Sequence, residues 1–239
     1  LFSHTREYQE AAYDALLEAA RTGRLPLERV DYSVDRINEM KRRFAADKRP
    51  PLTVIRQLSH LETVERAARA GTVLLRDASG LLPLVPETKV VVIEFVSSLE
   101  KEGVEQGKET VFVSLLRGWF PSLEAAAIDP STPTGEQLEC VERLAEASDT
   151  MVLATRNAHL YPAQLEAARR LLATGKPCVL VCLRNPYDAG ALEAGSVLLT
   201  LGDAASSLEA AAEALAGGYK PRGRLRVPLT MSLGSEETR

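Results

Sequence analysis

The sequence predicts an α/β protein in which a mostly parallel sheet is packed between helices as an α/β sandwich. Short apolar runs alternate with helical patterns from about residue 72 onward. Two of these runs, VVVIEFV and CVLVCL, are apolar almost throughout, which is typical of strands that are buried on both faces of a parallel sheet. Alternation of such strands with helices favours helices on both sides of one sheet.

The first 44 residues contain one short apolar segment and two helical patterns. Leu1–His4 has the composition of the end of a buried strand. One helix is predicted between the capping residue Thr5 and the stop signal Gly23, and a second begins near Pro26, after which apolar residues recur at helical spacing. A strand and two helices have no core of their own. We therefore interpret residues 1–44 as the remnant of a larger α/β unit.

Residues 45–58 are predicted to be a linker, and residues 59–239 a second domain. The linker is charged and contains Pro50 and Pro51, which favour an extended backbone. A helix from about residue 60 ends at Gly71, and Thr134 to Gln137 form a capping box for a later helix. The order of elements is close to a flavodoxin-like fold. The predicted strands are Thr72–Leu75, Val90–Phe95, Thr110–Leu115, Thr150–Thr155, Cys178–Leu183 and Ser196–Leu199.

Composition excludes several classes of protein. The net charge is −4 with both signs interspersed, so no basic stripe indicates a nucleic-acid partner. The sequence contains no run of about 18 apolar residues, the length that a membrane-spanning helix needs.

The cysteines favour a reducing, cytoplasmic compartment. Cys178 and Cys182 would lie on one face of a strand about 13 Å apart, which is too far for a disulfide, and the total of three cysteines is odd. A signal peptide upstream would instead make the protein secreted.

Polar clusters follow two of the predicted strands. Arg156, Asn157 and His159 come after one strand, and the next strand is followed by Arg184 and Asn185 together with Tyr187 and Asp188. Ligands of open α/β sheets bind at the carboxyl ends of strands, where arginine can hold a carboxylate or phosphate and asparagine both donates and accepts. Two alternatives stay open: each Arg-Asn pair ties down its own loop, or it faces a ligand or an adjoining domain. Asp188 could also cap a short helix, and His159 could be a solvated loop residue.

The sequence contains no motif for a nucleotide, a metal or a serine nucleophile. It lacks G-x-x-x-x-G-K-[ST], a G-x-G-x-x-G after a strand and the G-x-S-x-G elbow. No His, Cys and carboxylate set has metal-ligand spacing. We therefore expect neither a cofactor nor a metal.

Several motifs, in this order, resemble family 3 glycoside hydrolases. VLLRDASGLLPL at 73–84 is similar to the opening strand of that family's C-terminal domain, and KPRGRLRVPLTM at 220–231 to its terminal strand, with Arg226 where proline is usual. Gly23-Arg24-Leu25 and the segment around it look like the end of the family's N-terminal (β/α)₈ barrel. TRNAH and LRNPYD are closer to the β-N-acetylhexosaminidase branch than to the β-glucosidases.

This resemblance implies one half of an enzyme that hydrolyses terminal N-acetylglucosaminides. In the family, the nucleophilic aspartate and, in this branch, the acid/base histidine of K-H-[FI]-P-G lie on the barrel, and neither segment is present in the chain. The resemblance therefore assigns no catalytic residue here, makes the barrel domain a partner and a carbohydrate the substrate, and implies that residues 1–239 alone are inactive. His4, at the end of the last barrel strand, would line the pocket. The alternative is a non-catalytic module that binds a sugar or mediates oligomerisation.

Overall fold

A computed structural model describes residues 5–44, 50–78, 80–96 and 109–229 of the chain. The chain divides into two compact units, Leu1–Gln57 and Leu58–Arg239, and each is considered by itself.

The described part of the first unit contains two long helices with little buried surface and a short 3₁₀ helix, Leu52–Val54. Helix α1 spans Arg6–Arg21 and helix α2 spans Leu27–Phe44. Gly23 ends the first helix with φ of +76°, a conformation that glycine adopts without steric cost. Within the two helices, Ala19 alone is buried among the described residues. The two helices therefore form no buried core between them.

The second unit contains a six-stranded sheet with the order β1-β6-β5-β4-β2-β3. β1 pairs antiparallel with β6, and the other pairs are parallel, so the predicted mostly parallel sheet is confirmed. The strands are β1 (Val73–Asp77), β2 (Val90–Phe95), β3 (Glu124–Ile128), β4 (Thr150–Arg156), β5 (Cys178–Leu183) and β6 (Ser196–Leu199). The helices are α3 (Leu58–Gly71), α4 (Val111–Arg117), α5 (Gly135–Glu146), α6 (Pro162–Leu172), α7 (Asp188–Ala191) and α8 (Ala205–Leu215).

The five parallel strands have the flavodoxin-like order. β3, β2, β4, β5 and β6 follow one another across the sheet, so the chain moves outward from β2 to β3 and then returns to β4 on the other side. The direction of winding therefore changes between β2 and β4. In doubly wound folds, ligand crevices lie at the carboxyl ends of the strands at such a switch point.

Two hydrophobic clusters cover the two faces of the sheet. In β2, Val91, Ile93 and Phe95 belong to one cluster, whereas Val90 and Val92 belong to the other. Helices α5 and α6 contribute to the first cluster, and α4 and α8 to the second. Each large side chain that is buried in this way stabilises the fold by about 1.5–3 kcal/mol relative to exposure. The α/β sandwich predicted from the apolar strands is confirmed.

The predicted strand Thr110–Leu115 is wrong, because this segment begins helix α4. Thr110 is the N-cap, and its side chain accepts a hydrogen bond from the backbone N–H of Val113. Phe112, Val113 and Leu116 are buried, and their spacing places them on one helical face. The β-branched composition favoured a strand locally, but the cap and the packing of this face decide for a helix.

Strand β3 was not predicted, because its sequence EAAAI contains residues with high helix propensity. It extends the sheet beyond β2, with which it pairs in parallel. The predicted capping box at Thr134 is confirmed, since the Thr134 hydroxyl accepts from the Gln137 backbone and the Gln137 side chain accepts from the Thr134 backbone. Across the part of the chain that is described, no helix has the length and apolar character needed to cross a bilayer.

Candidate functional site

The two Arg-Asn pairs lie side by side at the carboxyl edge of the sheet. Arg156 is the last residue of β4 and pairs in register with Leu183, the last residue of β5. Directly after these strands, Asn157 has φ of 58° and Arg184 has φ of 82°, both in the left-handed region that non-glycine residues rarely adopt. The turn after β4, which begins at Asn157, and the turn after β5, which begins at Arg184, therefore have an unfavourable local backbone that the surrounding contacts must hold in place.

Arg156 forms a buried ion pair across the switch point of the sheet. Its Nη2 lies 2.7 Å from Oε1 of Glu94 in β2, and the two side chains are 14% and 1% exposed. Nη1 of the same guanidinium donates to the carbonyl oxygen of Phe95 at 3.0 Å. The hydroxyl of Thr110 donates to the second oxygen of Glu94. Doubly wound proteins bind ligands in the crevice at this point of the sheet. In this chain the Arg156–Glu94 pair spans it, and Phe95 and Thr110 provide further hydrogen bonds to the pair.

Gln164, which lies on helix α6, holds the backbone of Arg156 through two hydrogen bonds. Its Oε1 accepts from the Arg156 N–H at 2.9 Å, and its Nε2 donates to the Arg156 carbonyl at 2.9 Å. Gln164 is completely buried. Sequence reasoning missed this residue. The only available signal was a polar side chain among the apolar positions near the start of the helix that Pro162 opens.

A side-chain hydrogen bond joins the two turns. Nδ2 of Asn185 donates to Oδ1 of Asn157, and Oδ1 of Asn185 accepts from the backbone N–H of Tyr187 at 3.1 Å. In contrast, the side chain of Arg184 is 57% exposed and lies 4.0 Å from the carboxylate of Asp203. The two arginines therefore differ in role, because Arg156 is committed to the sheet edge and Arg184 extends into solvent.

His159 and Asp188 form a second link between the two turns. Oδ1 of Asp188 lies 2.7 Å from Nδ1 of His159 and accepts the His159 backbone N–H at 3.0 Å. The two side chains are 7% and 0% exposed. The His159 ring lies 5.4 Å from the Tyr187 ring, centroid to centroid, at a tilt of 56°. The expectation of a solvated His159 is therefore wrong, because the carboxylate holds its ring within the fold.

The remaining site predictions have different outcomes. Asp188 is the first residue of α7, but its carboxylate binds His159 and forms no cap on that helix. His4 lies outside the described residues. In the ranges 5–44, 50–78, 80–96 and 109–229, no group of three or more His, Cys, Asp or Glu residues could hold a metal ion.

The cysteines of β5 are unsuited to nucleophilic chemistry. Cys178 and Cys182 are buried. Burial raises the pKa of the Cys178 thiol to about 12 and also raises the pKa of the Cys182 thiol, to which the nearby Asp188 carboxylate contributes. Because the thiolate is the reactive form, both thiols remain inert near neutral pH.

Comparison with known proteins connects this fold to sugar-cleaving enzymes. No protein-family model matches the chain, and no curated protein matches it in sequence. Among solved structures, the chain is similar to a glycoside hydrolase family 3 β-N-acetylglucosaminidase from Paenibacillus sp. str. FPU-7, with 30% identity, a TM-score of 0.73 and 96% of the chain covered. The predicted resemblance to family 3 glycoside hydrolases is confirmed. The match covers 45% of the Paenibacillus enzyme, so the chain corresponds to less than half of it.

Two further matches agree in fold. A fungal multi-domain family 3 β-N-acetylglucosaminidase has 22% identity and a TM-score of 0.71, with 94% of this chain and 26% of that chain covered. A β-glucosidase from Listeria innocua has 19% identity and a TM-score of 0.61, with 86% of this chain and 33% of that chain covered. At these identities the likeness concerns the fold. All three matches cover most of this chain and only part of the other, as expected for a C-terminal glycoside hydrolase domain.

Proposed function

We propose that this chain is the C-terminal part of a β-N-acetylhexosaminidase-like glycoside hydrolase that removes terminal N-acetylglucosamine residues. The observation that supports this proposal most strongly is the 30% identity to the Paenibacillus β-N-acetylglucosaminidase over 96% of the chain. The β-glucosidase match is more distant, at 19% identity. The preference for an N-acetylated sugar over glucose rests on this difference.

In this proposal the catalytic groups reside on a barrel domain outside this chain. Glycoside hydrolysis of this kind needs an acid/base and a nucleophile that flank one glycosidic bond. At the carboxyl edge of the sheet, Glu94 is buried and paired with Arg156, and Asp188 is paired with His159. Carboxylates that are committed to such pairs are poorly placed to attack a sugar. The C-terminal domain would therefore support the barrel and shape the substrate cleft.

The exposed apolar surface of the first unit supports a barrel partner. The pocket between its two helices is lined mainly by apolar side chains, including Leu16, Leu17, Leu25 and Val30. Leu16 is 60% exposed, and several large side chains of α2 are also more than half exposed. Contiguous exposed apolar surface marks a binding site for another protein element. We propose that residues 1–44 complete a (β/α)₈ barrel, that 45–58 link it onward, and that 59–239 form the C-terminal sandwich domain.

The carboxyl edge of the sheet is the proposed cleft-facing surface of the second unit. Its tied turns present Asn157, Asn185 and Tyr187 next to His159. Asparagine and tyrosine can both donate and accept hydrogen bonds, as recognition of sugar hydroxyls requires. Their rigid links to neighbouring residues lower the entropy that is lost on binding.

The test is a comparison of the full-length protein with the 239-residue chain on two substrates, an aryl N-acetylglucosaminide and an aryl glucoside. We expect the full-length protein to cleave the N-acetylglucosaminide faster, and the chain alone to cleave neither. Mixing the separately expressed remainder of the barrel with the chain should restore turnover.

Two results would contradict the proposal. A full-length protein that cleaves neither substrate but still binds N-acetylglucosamine would favour a sugar-binding module. Turnover by the 239-residue chain alone would show that the catalytic groups lie within it.

A further inference from the structure

The paired turns after β4 and β5 carry energetic costs that packing alone does not require. Asn157 and Arg184 both have left-handed backbones, a conformation that is unfavourable for residues other than glycine, more so for arginine than for asparagine. Asp188 is completely buried, and its Oδ2 has no hydrogen-bond partner among the described residues. A buried polar atom without a partner is also destabilising. Costs of this kind are typically retained where a site must be rigid before its ligand arrives.

The contact with Asp188 holds the His159 ring in one orientation and, when the ring is neutral, favours one tautomer. An ionised carboxylate only accepts hydrogen bonds, so in the neutral ring the proton that lies between His159 and Asp188 belongs to Nδ1. Nε2 then carries a lone pair and acts as an acceptor. The backbone N–H of His159 donates to the same Asp188 oxygen, which fixes the position of the residue as well as the ring.

The acceptor nitrogen faces away from the buried carboxylate. Nδ1 and Nε2 are both bonded to Cε1, and their hydrogen-bonding directions diverge in the plane of the ring, so a ring whose Nδ1 contacts the fully buried Asp188 directs Nε2 away from that carboxylate. The side chain keeps 7% exposure, and no described residue forms a hydrogen bond with Nε2. The ring lies beside Tyr187 at the carboxyl edge of the sheet, where open α/β folds bind ligands.

We propose that His159 is a substrate-binding residue whose Nε2 accepts a hydrogen bond from a saccharide hydroxyl, and that Asp188 positions it. This inference rests on the proposed function, since that function supplies the saccharide. The pair is distinct from the acid/base and nucleophile of the reaction, because His159 would contact a hydroxyl and transfer no proton. Its effect would be on substrate affinity.

Two isosteric substitutions separate this role from a purely structural one. The amide of asparagine replaces Nδ1, so His159→Asn keeps a donor for Asp188 and loses the acceptor at the Nε2 position. Glutamine reaches the Nε2 position, so His159→Gln keeps the outer acceptor and loses the donor to Asp188. A ligand contact predicts the larger binding defect in His159→Asn, whereas a structural tie predicts that His159→Gln is the more impaired variant.

The experiment uses the full-length protein and the aryl N-acetylglucosaminide. We expect His159→Asn to raise KM about fivefold without changing kcat, which is the effect of losing one neutral hydrogen bond that is made equally in the ground and transition states. His159→Gln should retain most of the affinity. His60→Asn, which alters an exposed histidine of α3, is the matched control and should leave both constants unchanged.

A second readout does not depend on turnover. In the ¹⁵N spectrum of the imidazole groups, the Nε2 signal of His159, assigned by its absence in His159→Gln, should shift when N-acetylglucosamine is added. An unchanged signal at saturating sugar, or a KM of His159→Asn equal to that of the wild type, would overturn the inference. If the wild-type protein cleaves no aryl glycoside, the proposed enzymatic function fails, and the presence or absence of the spectral shift decides the His159 contact by itself.

Discussion

Substituting methionine for Arg156 removes a largely buried cation from the carboxyl edge of the sheet and keeps most of the apolar volume of the side chain. Glu94 is 1% exposed and would then retain the Thr110 hydroxyl as its hydrogen-bond donor. Removing one member of a buried ion pair costs about 3–5 kcal/mol because the remaining charge is uncompensated. The carbonyl of Phe95 would also lose a donor. Since Thr110 still binds Glu94, we expect the lower end of this range, about 3 kcal/mol.

Urea unfolding of the 239-residue chain at pH 7, followed by circular dichroism, measures this difference. Arg170→Met is the matched control, because the pair of Arg170 with Glu142 is partly exposed, at 47% and 22%, and pairs of this type contribute at most about 1 kcal/mol. Adding Glu94→Gln to Arg156→Met should recover part of the loss, since a neutral amide is less costly to bury than a charge.

Equal losses of unfolding free energy in Arg156→Met and Arg170→Met would show that the buried pair contributes no more than the exposed one. If the added Glu94→Gln substitution gives no recovery, the cost arises from packing and not from an unpaired charge.

Two further outcomes are expected from the core of the second unit. Cys178 and Cys182 should not react with a disulfide reagent at pH 7–9 in the native protein and should react in urea, because burial raises both thiol pKa values and the thiolate forms only as the pH approaches about 12 for Cys178. Gly223→Ala should lower the unfolding midpoint, since an added Cβ would collide with the backbone oxygen of Thr72, whereas Gly71→Ala, with open space around its Cβ position, should be neutral or stabilising. Equal thermal midpoints for the two alanine variants would contradict this reading of the glycines.

The strands of the sheet interior were predictable because their sequences are apolar at nearly every position. β2 and β5 are buried along their full length, and both were predicted with the observed bounds. The incorrect predictions concern strand β3 and helix α4. β3 is an edge strand whose alanines favour a helix, and α4 has β-branched residues that favour a strand. In both cases the pairing or packing partner, which a local pattern does not contain, decided the conformation.

The candidate site was only partly predictable for the same reason. Sequence reasoning selected Arg156 and His159 because they follow a buried strand, but it did not identify their partners. Glu94 and Gln164 are separated from Arg156 by 62 and 8 positions along the chain, and Asp188 is 29 positions from His159. The sequence shows that a side chain is polar, but it does not show which atom that side chain will contact.

By itself, the sequence determined the fold class, the strands of the sheet interior and the resemblance to family 3 glycoside hydrolases. These depend on local periodicity and on motifs, which are properties of short segments. Only the tertiary structure decided that Glu94 and Arg156 span the switch point between β2 and β4, and that Asp188 orients His159. The physical reason is that strand order and register bring distant charges within hydrogen-bonding distance in a buried environment, where their pairing strongly affects stability.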